Sequence, residues 1–146
     1  MVLNKKKIMI NAADLRIGNL ICSYSDTGDV VVVENIHGDG INWCWQYDSY
    51  FPEYESSTMY GVPVTEDWLL KLGFEKVGDF QFKGDMFVIE KFNNDANWNL
   101  RLSCGPDLSK HLCEILNIHH LQNIVYALSG QELPLPSNWN DLPFKY

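Results

Sequence analysis

The sequence predicts an α+β fold with a small, curled antiparallel sheet in the N-terminal half, followed by a helix, further antiparallel strands and a C-terminal helix. Three observations lead to this prediction. Short β-branched or alternating apolar runs lie between tight turns in the first half, and two later segments have helical apolar spacing. The length of 146 residues, of which 46% are hydrophobic, is enough for one core.

The strands of the first half are delimited by turn-forming residues. Four consecutive valines at 30–33 follow the polar turn 26–29, and large apolar residues alternate over 41–45. Gly18 and Asn19 predict another tight turn. Three or more short strands joined in this way favour a curled sheet, for which an SH3-like form is one option. Such a sheet must pack on the rest of the chain to be stable.

Two helices are predicted from their ends and their apolar faces. Thr65 is a good N-cap, Glu66 and Asp67 place negative charge in the first turn, and Gly73 ends the first helix. The second helix runs from about 118 to 129 and is followed by a glycine. Its apolar stripe consists of Leu121, Ile124, Val125 and Leu128.

Between the helices, residues 74–89 are predicted to form a pair of strands around a turn at 83–85, because apolar residues alternate over 80–82 and 87–89. Another strand is predicted at about 98–102. Residues 46–62 and 103–117 carry no clear pattern, so no element is predicted there.

We expect the chain to form a single domain over residues 1–146, because no repeat or low-complexity segment divides it. Its predicted parts are a mainly β lobe over 1–62, an α+β lobe over 63–133 and an extended tail over 134–146.

Charge is distributed unevenly along the chain, whose net charge is −8. Residues 1–16 have a balance of +3 and residues 71–146 a balance of −2. Residues 17–70 contain nine acidic residues and no Lys or Arg, which gives −9. A field of this sign attracts basic surfaces and repels nucleic acid, so direct nucleic-acid binding is not favoured.

The acidic part of the chain is also rich in aromatic residues. Trp and Tyr are common anchors of protein interfaces, and flanking carboxylates steer association with a basic partner. A protein groove that holds RNA or DNA is a basic surface of this kind. We therefore predict a site for a host protein with a basic surface, formed by Trp43, Trp45, Tyr47, Asp48, Tyr50, Glu53, Tyr54 and Glu55. In the competing interpretation, these aromatic residues belong to the core and the acids to a solvated face.

The sequence contains no recognisable catalytic or cofactor-binding motif. Its glycines match neither phosphate-binding fingerprint, and no nucleophile motif is present. Paired carboxylates such as Glu53 and Glu55 are more often solvated than catalytic in a segment of this composition. We therefore expect a non-enzymatic protein without a cofactor.

Two other functions stay open as alternatives. A nucleic-acid-binding accessory protein would use Lys5, Lys6, Lys7 and Arg16 with aromatic residues of the sheet. The aromatic stretch itself, however, has no basic residue to bind the phosphates.

A zinc-dependent or structural zinc protein is the second alternative. Cys104, His111, Cys113, His119 and His120 lie within 17 residues, but they lack the tight C-x2-4-C knuckle of zinc sites. Two buried cysteines and capping histidines are the simpler interpretation, so no metal ligand is assigned.

Export and membrane insertion have no support in the sequence. No apolar run approaches the roughly 18 residues of a membrane span, and residues 8–10 are too short for the apolar region of a signal peptide. The four cysteines are most simply reduced. We expect a cytoplasmic protein without a membrane partner.

Three motifs carry a resemblance to a known family: DLRIGN at 14–19, VPVTEDWLLKLGFEK at 62–76 and HHLQNIVYALSGQEL at 119–133. In this order and spacing they resemble a widespread family of uncharacterised small proteins of Bacteroidota phages, prophages and mobile elements. The resemblance transfers no catalytic residue. It implies a phage or mobile-element setting, in which small acidic proteins include inhibitors of host defence such as anti-CRISPR proteins.

Overall fold

A computed structural model of the chain describes residues 14–22, 30–37, 40–44, 54–55, 60–92, 97–106 and 108–135. Over these residues the chain forms ten strands and two helices. The strands make two antiparallel sheets, so the predicted α+β fold is confirmed.

The N-terminal sheet has five strands in the order β4-β3-β2-β1-β5. They are β1 (Leu20–Cys22), β2 (Val30–His37), β3 (Gly40–Cys44), β4 (Tyr54–Glu55) and β5 (Tyr60–Gly61). Each strand lies beside the previous one until β5, which returns to pair with β1. The N-terminal half therefore contains the antiparallel sheet that the sequence predicts, while its curling stays a prediction. Its SH3-like form stays a prediction, because strand order alone does not define a closed barrel.

Two strands of this sheet contradict the sequence prediction. Residues 46–62 were expected to have no regular element, whereas β4 and β5 both lie there. Each contains only two residues, and an apolar alternation cannot show over that length. Pairing with β3 and β1 defines these strands instead.

The C-terminal sheet is a meander in the order β10-β9-β8-β7-β6. Its strands are β6 (Glu75–Gly78), β7 (Gln81–Lys83), β8 (Phe87–Glu90), β9 (Trp98–Gly105) and β10 (Leu108–Ile115). The central three correspond to the predicted strands. The edge strand β10 was not predicted, and the predicted pair of strands over 74–89 is in fact three, with β6 as a strand of its own. Both edge strands are largely exposed, and each contains a register shift that breaks the alternation.

The helices are α1 (Glu66–Lys71) and α2 (Ile118–Ser129). The Thr65 hydroxyl accepts a hydrogen bond from the Trp68 N–H at 3.2 Å, which confirms the predicted N-cap. Gly73 and Gly130 follow the two helices with φ of 93° and 73°, a conformation that favours glycine. Neither helix in the described part of the chain is long and apolar enough to cross a membrane.

One buried cluster joins both helices and both sheets. Trp68 of α1 and Leu121 of α2 belong to the same cluster as Phe82 and Leu100 of the C-terminal sheet. Leu20 of β1 belongs to it as well. Because both helices share this cluster with the inward-facing residues of β7 and β9, they cover one face of the C-terminal sheet.

The chain passes from the first sheet to the second in close contact with the start of α2. The Ile118 N–H donates to the Val62 carbonyl at 2.8 Å, and Pro63 forms an antiparallel bridge with Asn117. A Cβ atom on Gly61 would overlap the Cγ and Oδ1 atoms of Asn117. Glycine is therefore needed here for close approach, although its φ is not in the left-handed region.

We expect Gly61→Ala to lower the free energy of unfolding by about 1–3 kcal/mol, because overpacking displaces the Asn117 side chain. Equilibrium urea unfolding measures the loss. Gly78→Ala is the matched control, since the nearest atom to a Cβ there lies 3.5 Å away. Asn117→Gly should restore most of the loss in the Gly61→Ala background, because the Asn117 side chain makes no capping bond at α2. Equal losses at Gly61 and Gly78 would contradict this account.

Candidate functional site

The structure describes only part of the predicted partner-binding site. Trp43 lies on β3, and Tyr54 and Glu55 form β4, for which the backbone is described. The other five members, Trp45, Tyr47, Asp48, Tyr50 and Glu53, lie outside the described residues.

The described members lie at one end of the N-terminal sheet. Tyr54 is opposite Ile41 in the pairing of β4 with β3, and Trp43 is opposite Val33 in the pairing of β3 with β2. The five other predicted residues belong to the chain segment that leaves from β3 and returns at β4. The backbone therefore brings both ends of the acidic, aromatic segment to the β3–β4 end of the sheet.

The C-terminal half attaches near the opposite end of the strand order, at β1. The Gln122 side chain of α2 accepts a hydrogen bond from the Leu20 N–H at 2.8 Å through Oε1. Through Nε2 it donates to the Gly18 carbonyl at 3.2 Å. The joint between the halves is thus separated from β3, which carries Trp43, by the width of β2.

Gln122 belongs to a buried group of polar side chains, here called the amide network, made of Arg16, Asn19, Gln122 and Asn123. Asn19 and Gln122 are 0% and 1% exposed. The Asn19 Oδ1 accepts from the Arg16 N–H at 2.7 Å, and its Nδ2 donates to Asn123 Oδ1 at 2.9 Å. Sequence reasoning missed this network. The sequence offered one clue. The two motifs that the network joins, 14–19 and 119–133, both contain side chains with an amide group.

The Arg16 guanidinium closes the network at the surface. Its Nε donates to Asn123 Oδ1 at 2.9 Å, and its two Nη atoms bond to the two carboxylate oxygens of Glu132. The guanidinium also lies 4.2 Å from the centre of the Tyr126 ring. The hydrogen bond to Glu132 raises the pKa of Arg16. Arg16 is therefore engaged within the chain and is not presented to an external phosphate.

The cysteine and histidine residues of the zinc alternative are dispersed. Cys104 is on β9, His111 and Cys113 are on β10, and His119 and His120 are in the first turn of α2. Within the described ranges, no group of three or more His, Cys, Asp or Glu residues could hold a metal ion.

The expectation of two buried cysteines is wrong for Cys104. This thiol is exposed, because β9 extends beyond the part of the sheet that the helices cover. Cys113 is half-buried, and desolvation raises the pKa of its thiol.

His119 is a buried titratable group beside the joint. Its side chain is 6% exposed, and among the described residues its Nδ1 has no hydrogen-bond partner. Desolvation, together with the neighbouring His120, lowers the pKa of His119 to about 4, while the Asp14 carboxylate opposes the shift. The ring is therefore neutral at pH 7 and helps to fill the interface between α2 and residues 14–19.

We expect acid to destabilise the chain through His119. Its pKa lies near 6.5 when unfolded and near 4 when folded. The unfolded state thus takes up a proton first, and stability is lost as pH falls below about 6.5. Relative to His119→Leu, the unmutated chain should lose about 2 kcal/mol of unfolding free energy between pH 7 and pH 5. Urea unfolding at several pH values measures this. His111→Gln, at an exposed histidine, is the control, and parallel curves for His119→Leu and the unmutated chain would refute the assignment.

We expect Gln122→Leu to lower the free energy of unfolding by about 2–4 kcal/mol. The substitution keeps the side-chain volume but leaves the Leu20 N–H and the Gly18 carbonyl without a partner at a buried position. Chemical denaturation measures the change, with the exposed Gln131→Leu as control. A loss no larger than that of the control would mean that water or another side chain replaces the amide.

Comparison of the chain with models of protein families, with curated proteins and with solved structures finds no match.

Proposed function

We propose that this chain is a non-enzymatic binding protein that engages a basic surface of another protein through its acidic, aromatic segment. The observation that carries the proposal is the run of 54 residues, 17–70, with nine acidic residues and no Lys or Arg. An ordinary soluble face mixes both signs, so a run of one sign indicates a surface that steers a partner of opposite charge.

The backbone arrangement supports this proposal. The segment leaves from β3 and returns at β4, the terminal strand of the N-terminal sheet. The C-terminal half is attached at β1 and β5 instead. The segment therefore starts and ends at the β3–β4 end of the sheet, away from the contacts with α2.

The kind of partner follows from charge and from the resemblance to phage and mobile-element proteins. A dense basic surface in a host cell is typical of proteins that hold RNA or DNA. A counter-defence inhibitor that occupies such a groove, as anti-CRISPR proteins do, fits both the charge and the setting. We propose a nucleic-acid-processing host protein as the partner, in the cytoplasm.

A nucleic-acid-binding accessory function is less well supported. Of its four basic residues, Arg16 bonds to Glu132 and stacks on Tyr126, while Lys5, Lys6 and Lys7 lie outside the described residues. A zinc function has no group of ligands within the described part of the chain.

The test compares two triple variants that carry the same charge change. Asp48→Lys/Glu53→Lys/Glu55→Lys reverses the proposed site, and Glu75→Lys/Asp79→Lys/Asp85→Lys reverses exposed acids of the C-terminal half. Both move the net charge from −8 to −2. A partner is first captured from host lysate, purified, and titrated with each variant by calorimetry.

We expect the site variant to weaken binding roughly 100-fold and the control variant to weaken it less than about threefold. A nucleic acid that binds the partner should compete with the unmutated chain. Equal losses of affinity for both variants would mean that net charge alone determines binding. Unchanged affinity of the site variant would rule out the segment as the binding site.

A further inference from the structure

The C-terminal sheet has a second face, opposite the helices, which no described element covers. The buried cluster includes Phe82, Ile89 and Leu100, which point toward α1 and α2. Their neighbours in sequence point the other way and, apart from Val88, are polar or charged. We call this surface the outer face.

Cross-strand pairing arranges the outer face in two rows, because residues directly opposite each other lie on the same face. Across β7 to β10, the first row contains Lys83, Val88, Arg101 and His111. The second contains Gln81, Glu90, Asn99 and Glu114. The rows are two residues apart along β7, β8 and β9, or roughly 7 Å. On β10 they are three residues apart, because the register shifts between His111 and Cys113. One row is therefore basic and the adjacent row is acidic.

Hydrogen bonds hold these side chains in place. Arg101 donates from Nε to Ser109 Oγ at 2.7 Å and lies 3.6 Å from the Glu90 carboxylate. His111 Nε2 lies 3.3 Å from Asn99 Oδ1. Asn99 is only 9% exposed although it belongs to the uncovered face. Side chains that are already ordered lose little conformational entropy when a partner binds.

From this arrangement we infer that the outer face is a self-association surface, on which a second copy of the chain packs face to face. A two-fold axis that runs between the rows places the basic row of each copy on the acidic row of the other. Arg101 of one copy then faces Asn99 of the other, between its Glu90 and Glu114. At the β6 edge, Glu75 lies opposite Lys83. The charge complementarity between the two copies is consequently strongest over β8, β9 and β10.

Two further observations bear on the strength of this contact. Residues 71–146 have a balance of only −2, so repulsion between copies is smallest on this half of the chain. Five strands about 4.8 Å apart and four residues deep give a footprint of roughly 300 Å², against about 800 Å² per partner in a standard interface. The association is therefore weak and reversible.

The experiment uses sedimentation equilibrium of the full chain from about 10 µM to about 1 mM, which covers the weak affinities expected of a contact well below the standard size. Glu90→Lys/Glu114→Lys makes both rows basic, and Lys83→Glu/Arg101→Glu makes both rows acidic. Each variant alone should raise the dimer dissociation constant at least about tenfold. An equimolar mixture should restore a one-to-one dimer at least as tight as that of the unmutated chain. Lys83→Glu/His111→Glu replaces the acidic variant if Arg101→Glu unfolds.

A control mixture distinguishes contact through the outer face from general attraction between oppositely charged chains. Asp79→Lys/Asp85→Lys mixed with Lys71→Glu/Lys110→Glu carries the same charges on exposed residues elsewhere. An unmutated chain that stays monomeric at about 1 mM overturns the inference, and so does a control mixture that associates as tightly as the test mixture. The outcome does not depend on the proposed partner-binding segment, whose described residues lie on β3 and β4 of the N-terminal sheet.

Discussion

The hydrogen bonds of the Gln122 amide fix how the two halves of the chain fit together. Apolar contacts between the sheets and helices are not directional, and many relative placements would bury a similar area. An amide that is 1% exposed has to reach both the Leu20 N–H and the Gly18 carbonyl. Only one placement of α2 against β1 satisfies these groups, because an unpaired buried polar group is costly. The amide network thus selects the arrangement that the apolar core stabilises.

The elements that the sequence predicts are those whose signals are local. The N-cap at Thr65 and the glycine after α2 can be recognised from a few neighbouring residues, and the β-branched run of valines at 30–33 favours a strand. The strands β4, β5, β6 and β10 depend on partners elsewhere in the chain, so short length, exposure or a register shift hides them from a periodicity search. The amide network escaped prediction for the same reason, since Asn19 and Gln122 are 103 positions apart.

Only the composition of the candidate site, and not its arrangement, could be predicted from the sequence. Charge and aromatic content identify the segment within residues 17–70, and the pairing of β3 with β4 locates its two ends. The two halves of the chain then differ in kind: one carries a strong field, while the other is nearly neutral and presents ordered charges of both signs on its outer face. From the sequence, Arg16 was expected to be a basic residue available for binding, because the carboxylate that neutralises it lies 116 positions away.

The separation in sequence between Leu20 and Gln122 also governs the order in which the chain folds. The strand β1 emerges early from the ribosome, but the helix that holds it is among the last described elements to be made. Contacts of such long range form slowly. During synthesis the acidic N-terminal sheet therefore has to wait for α2, with its β1 end uncovered. A nascent chain that stalls before residue 118 would expose this surface to chaperones and proteases.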